Sequence, residues 1–348
     1  MSSDEKLLVA LSGGVDSALA LAILKKRGYD TVGATMCLHS YSAETDGRDA
    51  AAVAAREGIP FHTLDLHAEF DRFVIRPFIE CYEKGSTPNP CVACNRHLKF
   101  GALLAAADRL GCQMLATGHY ARIERDESGK YLLKKSKNRA KDQTYVLYTL
   151  TQETLSRVLF PLGDFASKDE VRAAAEEYGI PVADKKDSQD ICFIPNGDYV
   201  SFIEDYTKKS YPEGDFLDES GNVLGRHKGI IRYTVGQRKG LGLSLPAPLY
   251  VSRKDAESNT VTLVASHALG RPSLTATAFN WISGDAPASP IRVKAKTRYN
   301  AKETDAVATV NEDGSVTVEF AVPERAVTRG QSVVLYDGDT VLGGGIIQ

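Results

Sequence analysis

Ser12-Gly13-Gly14-Val15-Asp16-Ser17 stands between an apolar run, Lys6–Leu11, and a helical pattern, Ala18–Arg27, that stops at Gly28. Two glycines let a backbone fold close around an anion, and the N-terminus of the following helix points unpaired N–H groups at it. The serine hydroxyls add donors, and Asp16 can orient Mg²⁺ or cap the helix. The Gly-Lys-Ser/Thr ending of the nucleotide-kinase P-loop is absent. A capped glycine turn is the plainer reading, but the strand–loop–helix setting favours a phosphate loop.

Working outward, the chain keeps alternating. Thr31–Met36 and Phe61–Leu66 read as strands, and Arg48–Glu57 as a helix stopped by Gly58. His67–Tyr82 reads as a longer helix before a loop, Gly85–Pro90. A helix over Arg96–Leu110 and a short strand, Gln113–Ala116, follow, then a helix over Lys168–Tyr178. Strands spaced by helices predict βαβ units and a doubly wound, mostly parallel sheet over residues 1–200. From about residue 213 the helical period gives way to short runs such as Arg292–Tyr299, Ala306–Val310 and Val316–Phe320, separated by turn residues. These predict a small β sandwich or barrel, with Pro287 and Pro290 in a linker.

Composition sets the bounds. With 348 residues, 43% hydrophobic and 25% charged, the chain has room for two or three domains and is not disordered. Its longest apolar run is too short to span a bilayer, and the acidic start, Ser2-Ser3-Asp4-Glu5, lacks a signal-peptide pattern. Cytosolic location is the expectation, so six cysteines imply packing, metal ligation or working thiols rather than a disulfide framework. The net charge of −3 hides two basic stretches: residues 122–141 carry eight Lys/Arg against three acids, and 226–298 twelve against three. Such stretches can bind a polyanion locally, although from charge alone scattered solvated lysines are the favoured reading.

Further motifs occur in a fixed order: Thr87-Pro-Asn-Pro-Cys-Val-Ala-Cys94-Asn95, Leu98-Lys99-Phe100, Ala116-Thr-Gly-His-Tyr120, Lys141-Asp-Gln143, Asp187-Ser-Gln-Asp-Ile-Cys-Phe-Ile194, Thr234–Gly242, Lys296-Thr-Arg-Tyr299 and Leu342–Ile347. The hexapeptide at Ser12 resembles the PP-loop of ATP pyrophosphatases. The ordered set resembles the tRNA-specific 2-thiouridylase (MnmA/TrmU) family over nearly the full length. That resemblance implies an α/β chain: a PP-loop, Rossmann-like catalytic domain (1–200), a small central β-rich domain (201–268) and a tRNA-contacting C-terminal β-barrel (269–348).

The implied activity is ATP-dependent 2-thiolation of the wobble uridine, position 34, of tRNA. Adenylating the base oxygen makes it a leaving group that sulfur can displace, which requires an ATP loop, Mg²⁺ and a nucleophilic sulfur. The resemblance assigns ATP to Ala10, Leu11, Ser12, Gly13, Gly14, Val15, Asp16, Ser17, Met36 and Gly118. It assigns the target base to Asn89, Pro90 and Cys91, and tRNA to His119, Lys141, Asp142, Gln143, Arg298, Tyr299 and Gln331. Cys192 would carry a persulfide and Cys94 would be its partner thiol. A cysteine desulfurase or sulfur relay protein would deliver the sulfur. Cys94, read as preceding a helix, is expected to have its thiol pKa lowered by the dipole. Many relatives have Asp where this chain has Cys91, so Cys91, Cys94 and Cys192 could alternatively ligate a [4Fe–4S] cluster. Competing functions are another AMP-forming PP-loop ligase and a non-catalytic RNA- or zinc-binding protein, the latter suggested by Cys91, Cys94 and His97.

Overall fold

The computed structural model describes residues 5–39, 43–180 and 191–348. The part of the Asp187 motif before Ile191 lies outside them. Strands β1 (Lys6–Ala10), β2 (Asp30–Cys37), β3 (Phe61–Asp65) and β4 (Met114–Ala116) precede a hairpin, β5 (Ala121–Arg125) and β6 (Tyr131–Lys135), and the short β7 (Val158–Leu159). The first sheet runs β3-β2-β1-β4-β7 with every pair parallel. β1 is central and covered on both faces: Leu8 packs into one apolar cluster, Leu7 and Val9 into another. That is why its sequence is continuously apolar rather than alternating. The strand order reverses beside β1, so the loops leaving β1 and β4 open side by side at the carboxyl edge, where open α/β sheets bind ligands.

Three sequence expectations change. Helix α1 (Val15–Lys26) begins three residues earlier than its apolar pattern, directly at the end of the glycine loop. The helix expected from Arg96 begins at Pro90, because Asn89 caps it by accepting from the Val92 N–H and proline suits the first helical position. It continues as a π-helical stretch, Asn95–Ala102, into Leu103–Arg109. Pro287 and Pro290 do not separate domains. They lie in the connection between two strands of one barrel.

The central unit has helix Tyr199–Thr207 and strands β8 (Gly214–Leu217), β9 (Val223–His227), β10 (Tyr250–Asp255) and β11 (Thr260–Val264), ordered β10-β11-β8-β9. Its core is continuous with the catalytic domain: Phe216, Ile231 and Val261 share one cluster with Phe78, Cys94, Leu98 and Phe193. The last six strands are β12 (Gly270–Trp281), β13 (Ile291–Lys296), β14 (Thr304–Val310), β15 (Val316–Arg325), β16 (Ser332–Asp337) and β17 (Thr340–Ile347). They pair antiparallel and close through β12–β17 into a barrel around Val318, Val333 and Leu335.

The β5–β6 hairpin joins that barrel sheet through Lys134 opposite Thr340. It carries most of the first basic stretch, and its charge is largely answered inside the protein. Arg122 and Lys134 meet Glu124, Lys130 meets Asp285, Lys135 meets Glu303, Lys137 meets Asp164 and Arg139 meets Asp339. Gly163 seats the hairpin. Its carbonyl accepts from Lys137 N–H (2.9 Å) and Ser136 Oγ (3.2 Å), and a Cβ there would collide with the Ala121 carbonyl. Gly163→Ala should lower stability by about 1–3 kcal/mol. An unchanged urea midpoint would show that the hairpin tolerates displacement.

Candidate active site

The glycine loop is organised by its own hydroxyls. Ser17 Oγ donates to the Gly14 carbonyl (3.0 Å) and accepts from Ser12 N–H (3.2 Å), while Gly13 adopts φ +74°. Ala10 ends β1, and the Leu11 N–H is bonded to Ala34 O. Val15, Asp16 and Ser17 form the first turn of α1, whose N-terminal N–H groups provide an anion site. Met36 lies near the end of β2 between two apolar clusters.

From the adjoining strand, Gly118 packs directly on this turn. A Cβ on Gly118 would come to 3.0 Å from Asp16 C and Ser17 N and force that turn to give, so glycine lets the β4 loop approach this closely without displacement. Two residues on, Tyr120 Oη donates to Asp16 Oδ1 at 2.7 Å. A hard cation takes oxygen ligands, and the Asp16 carboxylate beside the Ser12 and Ser17 hydroxyls fits Mg²⁺ in donor type.

His119 connects this loop to the thiols. It is 7% exposed, with Nδ1 2.7 Å from Thr117 Oγ1 and Nε2 3.4 Å from Lys99 Nζ. An ammonium can only donate, so Nε2 accepts and the ring proton sits on Nδ1. Burial, reinforced by the Lys99 charge, holds the imidazole pKa well below its usual value, which keeps His119 neutral. Sequence reading placed His119 at tRNA. In the fold it follows Gly118, which packs on the glycine loop, and meets Lys99, with Phe100 and Phe160 packed against the ring.

Cys94 is buried, whereas Cys91 and Cys192 reach the surface. Ile191, Phe193 and Ile194, which flank Cys192, share an apolar cluster with Cys94 and Leu98. The fold thereby joins thiols that are about 100 positions apart in sequence. Cys94 lies one turn inside its helix rather than before it, so the expected dipole lowering does not occur. Burial pushes the Cys94 thiol up. Although Cys91 and Cys192 reach the surface, packing around their sulfur atoms desolvates them, pushing Cys91 up and Cys192 up to about 12, with the neighbouring cysteines adding to the rise at Cys192. In all three the Lys99 charge acts in the opposite direction. The sequence motif Leu98-Lys99-Phe100 by itself points to no role for Lys99. Among the described residues no three His, Cys, Asp or Glu side chains gather into a metal-holding set. As placed, the described thiols do not fit a cluster site.

The remaining candidates line the approach from the barrel. Asn89 lies beside Tyr145, whose ring meets that of Tyr299 edge-on. Tyr299 Oη donates to the Asp142 carbonyl at 3.3 Å. The Asp142 carboxylate accepts from Ser136 N–H and Thr144 Oγ1, and Gln143 Oε1 accepts from Tyr120 N–H. Both side chains therefore make hydrogen bonds within the protein. Lys141 lies over the Tyr120 ring. Arg298 is half-buried, and its Nε has no hydrogen-bond partner. Gln331 reaches across from the barrel and donates to the carbonyls of Thr87 (3.1 Å) and Pro88 (2.9 Å), holding the loop that presents Asn89-Pro90-Cys91.

Comparison with known proteins agrees with this architecture. Residues 5–196 match the tRNA methyl transferase HUP domain, 200–265 the tRNA methyl transferase PRC-barrel domain and 271–347 the aminomethyltransferase beta-barrel domain. The tRNA-specific 2-thiouridylase MnmA of Acetivibrio thermocellus is 51% identical, covering 99% of this chain and all of that protein. Its namesake from Clostridioides difficile is 47% identical, covering 100% of this chain and 99% of that protein. Among solved structures, the U34-tRNA thiolase NcsA from Methanococcus maripaludis with its [4Fe-4S] cluster is 16% identical over 59% of this chain and 68% of that one. Its TM-score of 0.34 is too low to bear on the site. With full-length identity near one half and all three domain types in order, the chain belongs to the tRNA-specific 2-thiouridylase MnmA family.

Proposed function

We propose that this chain is an ATP-dependent tRNA sulfurtransferase that converts the wobble uridine, position 34, to 2-thiouridine. The observation that supports it best is the continuous wall Ser17–Gly118–His119–Lys99, which sets an anion-binding loop beside a group of cysteines. Activation of an oxygen and its replacement by sulfur need those two parts together. We divide the chain into a catalytic ATP-binding part (1–200), a central part (201–268) and a tRNA-contacting barrel (269–348). Asp16, Ser12 and Ser17 would hold Mg²⁺, which supplies charge neutralisation at the phosphates.

In the proposed sequence, the base O2 attacks the α-phosphate of ATP, pyrophosphate leaves and the base N3 gives up its proton. Beforehand, a persulfide-bearing donor protein, a cysteine desulfurase or relay protein, has passed its terminal sulfur to the Cys192 thiolate and left as its own thiolate. The Cys192 persulfide anion attacks C2 of the base, the C2–O bond breaks and AMP leaves with that oxygen. The Cys94 thiolate then attacks the Cys192 Sγ. The S–S bond to the base breaks, its electron pair stays on the sulfur attached to C2, and a Cys94–Cys192 disulfide forms. A dithiol reductant returns two electrons to that disulfide. Cys91 has no step in this scheme. Among the described residues no helix is long and apolar enough to cross a membrane, and the reading carries with it a cytosolic location.

Two measurements test the proposal. Protein purified without oxygen should form 2-thiouridine, AMP and pyrophosphate from tRNA, ATP and a persulfide donor with no bound iron. Cys91→Asp should retain that activity, and turnover that requires iron and is lost in Cys91→Asp would overturn the persulfide route. Release of ADP and phosphate would overturn adenylation itself. For tRNA, Arg298→Ala should weaken binding about tenfold and lower the dependence on salt by about one unit of slope, with ATP affinity retained. Filter binding across a salt series checks this, and an unchanged slope would remove Arg298 from the phosphate contacts.

A further inference from the structure

The proposed reaction leaves the charge of Lys99 unused. This residue is half-buried in the π-helical stretch Asn95–Ala102. A π turn closes on i→i+5 hydrogen bonds, and here the Leu103 N–H bonds to the Leu98 carbonyl. The same register sets Lys99 one π turn beyond Cys94. In an α-helix a residue five positions on would point well away from Cys94. The local change of helix type therefore swings the ammonium toward the face that bears the thiol. Among the described residues its one side-chain hydrogen bond is to neutral His119, 3.4 Å from Nζ, and no carboxylate pairs with it. Most lysines of the neighbouring hairpin meet an acid. An uncompensated cation in a partly desolvated position exerts a strong field. Cys91, Cys94 and Cys192 all lie within reach of that field.

We propose that Lys99 is a catalytic residue of the sulfur-transfer step, its ammonium fixed by His119 so that it binds the negative charge on sulfur. This rests on the persulfide reading given above. In that sequence a single negative charge moves from the Cys192 persulfide onto departing AMP, and a second moves from the Cys94 thiolate onto the sulfur left on C2. A fixed cation beside both thiols stabilises each charge where it arises, without reorganisation. His119 contributes by staying neutral, since a protonated ring could not accept from Lys99.

Paired alkylating reagents test the charge directly. Iodoacetate and iodoacetamide consume the same thiolate, so the ratio of their rates cancels the ionisation of the thiol and reports the local charge on the approaching reagent. Peptide mapping at Cys192 should give an iodoacetate-to-iodoacetamide ratio about fivefold above that of free cysteine, falling as salt is added. Lys99→Met and Lys99→Gln should bring the ratio to the free-cysteine value, and Lys99→Arg should preserve it. In turnover, the AMP released per 2-thiouridine made should rise about tenfold in Lys99→Met, as activated base hydrolyses before sulfur arrives. A free-cysteine ratio in the unsubstituted protein, or an elevated ratio that survives both neutral substitutions, would overturn the role of Lys99. The alkylation assay uses neither tRNA nor ATP. Failure of the persulfide reading would instead appear as absence of thiolation by the unsubstituted, sulfur-loaded protein.

Discussion

Cys192→Ser should reduce 2-thiouridine formation by about 10³-fold or more, while tRNA-dependent release of AMP and pyrophosphate continues. The serine hydroxyl cannot accept a sulfane sulfur, yet it leaves the ATP loop untouched. Cys94→Ser should fail at a different point. The persulfide can still attack the activated base, but nothing then breaks the Cys192–S–S–C2 link, so the tRNA should remain attached to the enzyme. Denaturing gels without reductant should show this adduct, and added dithiothreitol should release 2-thiouridine from it. Cys91→Ser should do neither. Nucleoside mass spectrometry of the three variants separates the roles, and equal residual activity in all of them would remove the thiols from the reaction.

Asp16→Ala should lower adenylation about 10²- to 10³-fold, with tRNA affinity within about twofold of the unsubstituted protein. Asp16 opens α1 and accepts from Tyr120, so its loss removes charge at the phosphates and loosens the contact with the β4 loop. Gly118→Val separates these effects. It keeps the carboxylate but pushes a side chain into Asp16 and Ser17, where even a Cβ comes within 3.0 Å. Its adenylation should fall with a raised KM for ATP. Pyrophosphate exchange measures both variants, and full activity in Gly118→Val would mean that the two loops need not touch.

The parallel sheet was legible because a buried central strand and a glycine loop before a helix leave few alternatives. The barrel strands were legible from turn residues at short spacing. The hairpin β5–β6 escaped notice because its lysines and arginines read as charge rather than as an edge, and its ion pairs lie mostly with residues distant in sequence. The start of the helix at Pro90 was hidden in a loop-like proline pair. Lys99 was hidden by periodicity itself, since counting in α-helical turns sends position 99 away from Cys94. The grouping of Cys192 with Cys94 depends on a core built from four distant segments, which no local pattern encodes.

Among many contacts, two separated sets of main-chain bonds tie the barrel to the catalytic domain. Lys135 N–H bonds to the Asp339 carbonyl and Lys134 pairs with Thr340 on one side. On the other, Thr87 N–H bonds to the Arg329 carbonyl, beside the double contact of Gln331. Such ties leave little freedom for a hinge, so under the proposed tRNA reading the molecule would work as a caliper with its jaws locked. An RNA resting on the barrel would then be gauged by reach. Only a nucleotide held at the set distance from that seat would arrive at the sulfur, and an otherwise suitable uridine on a longer or shorter arm would be passed over without its bases being read.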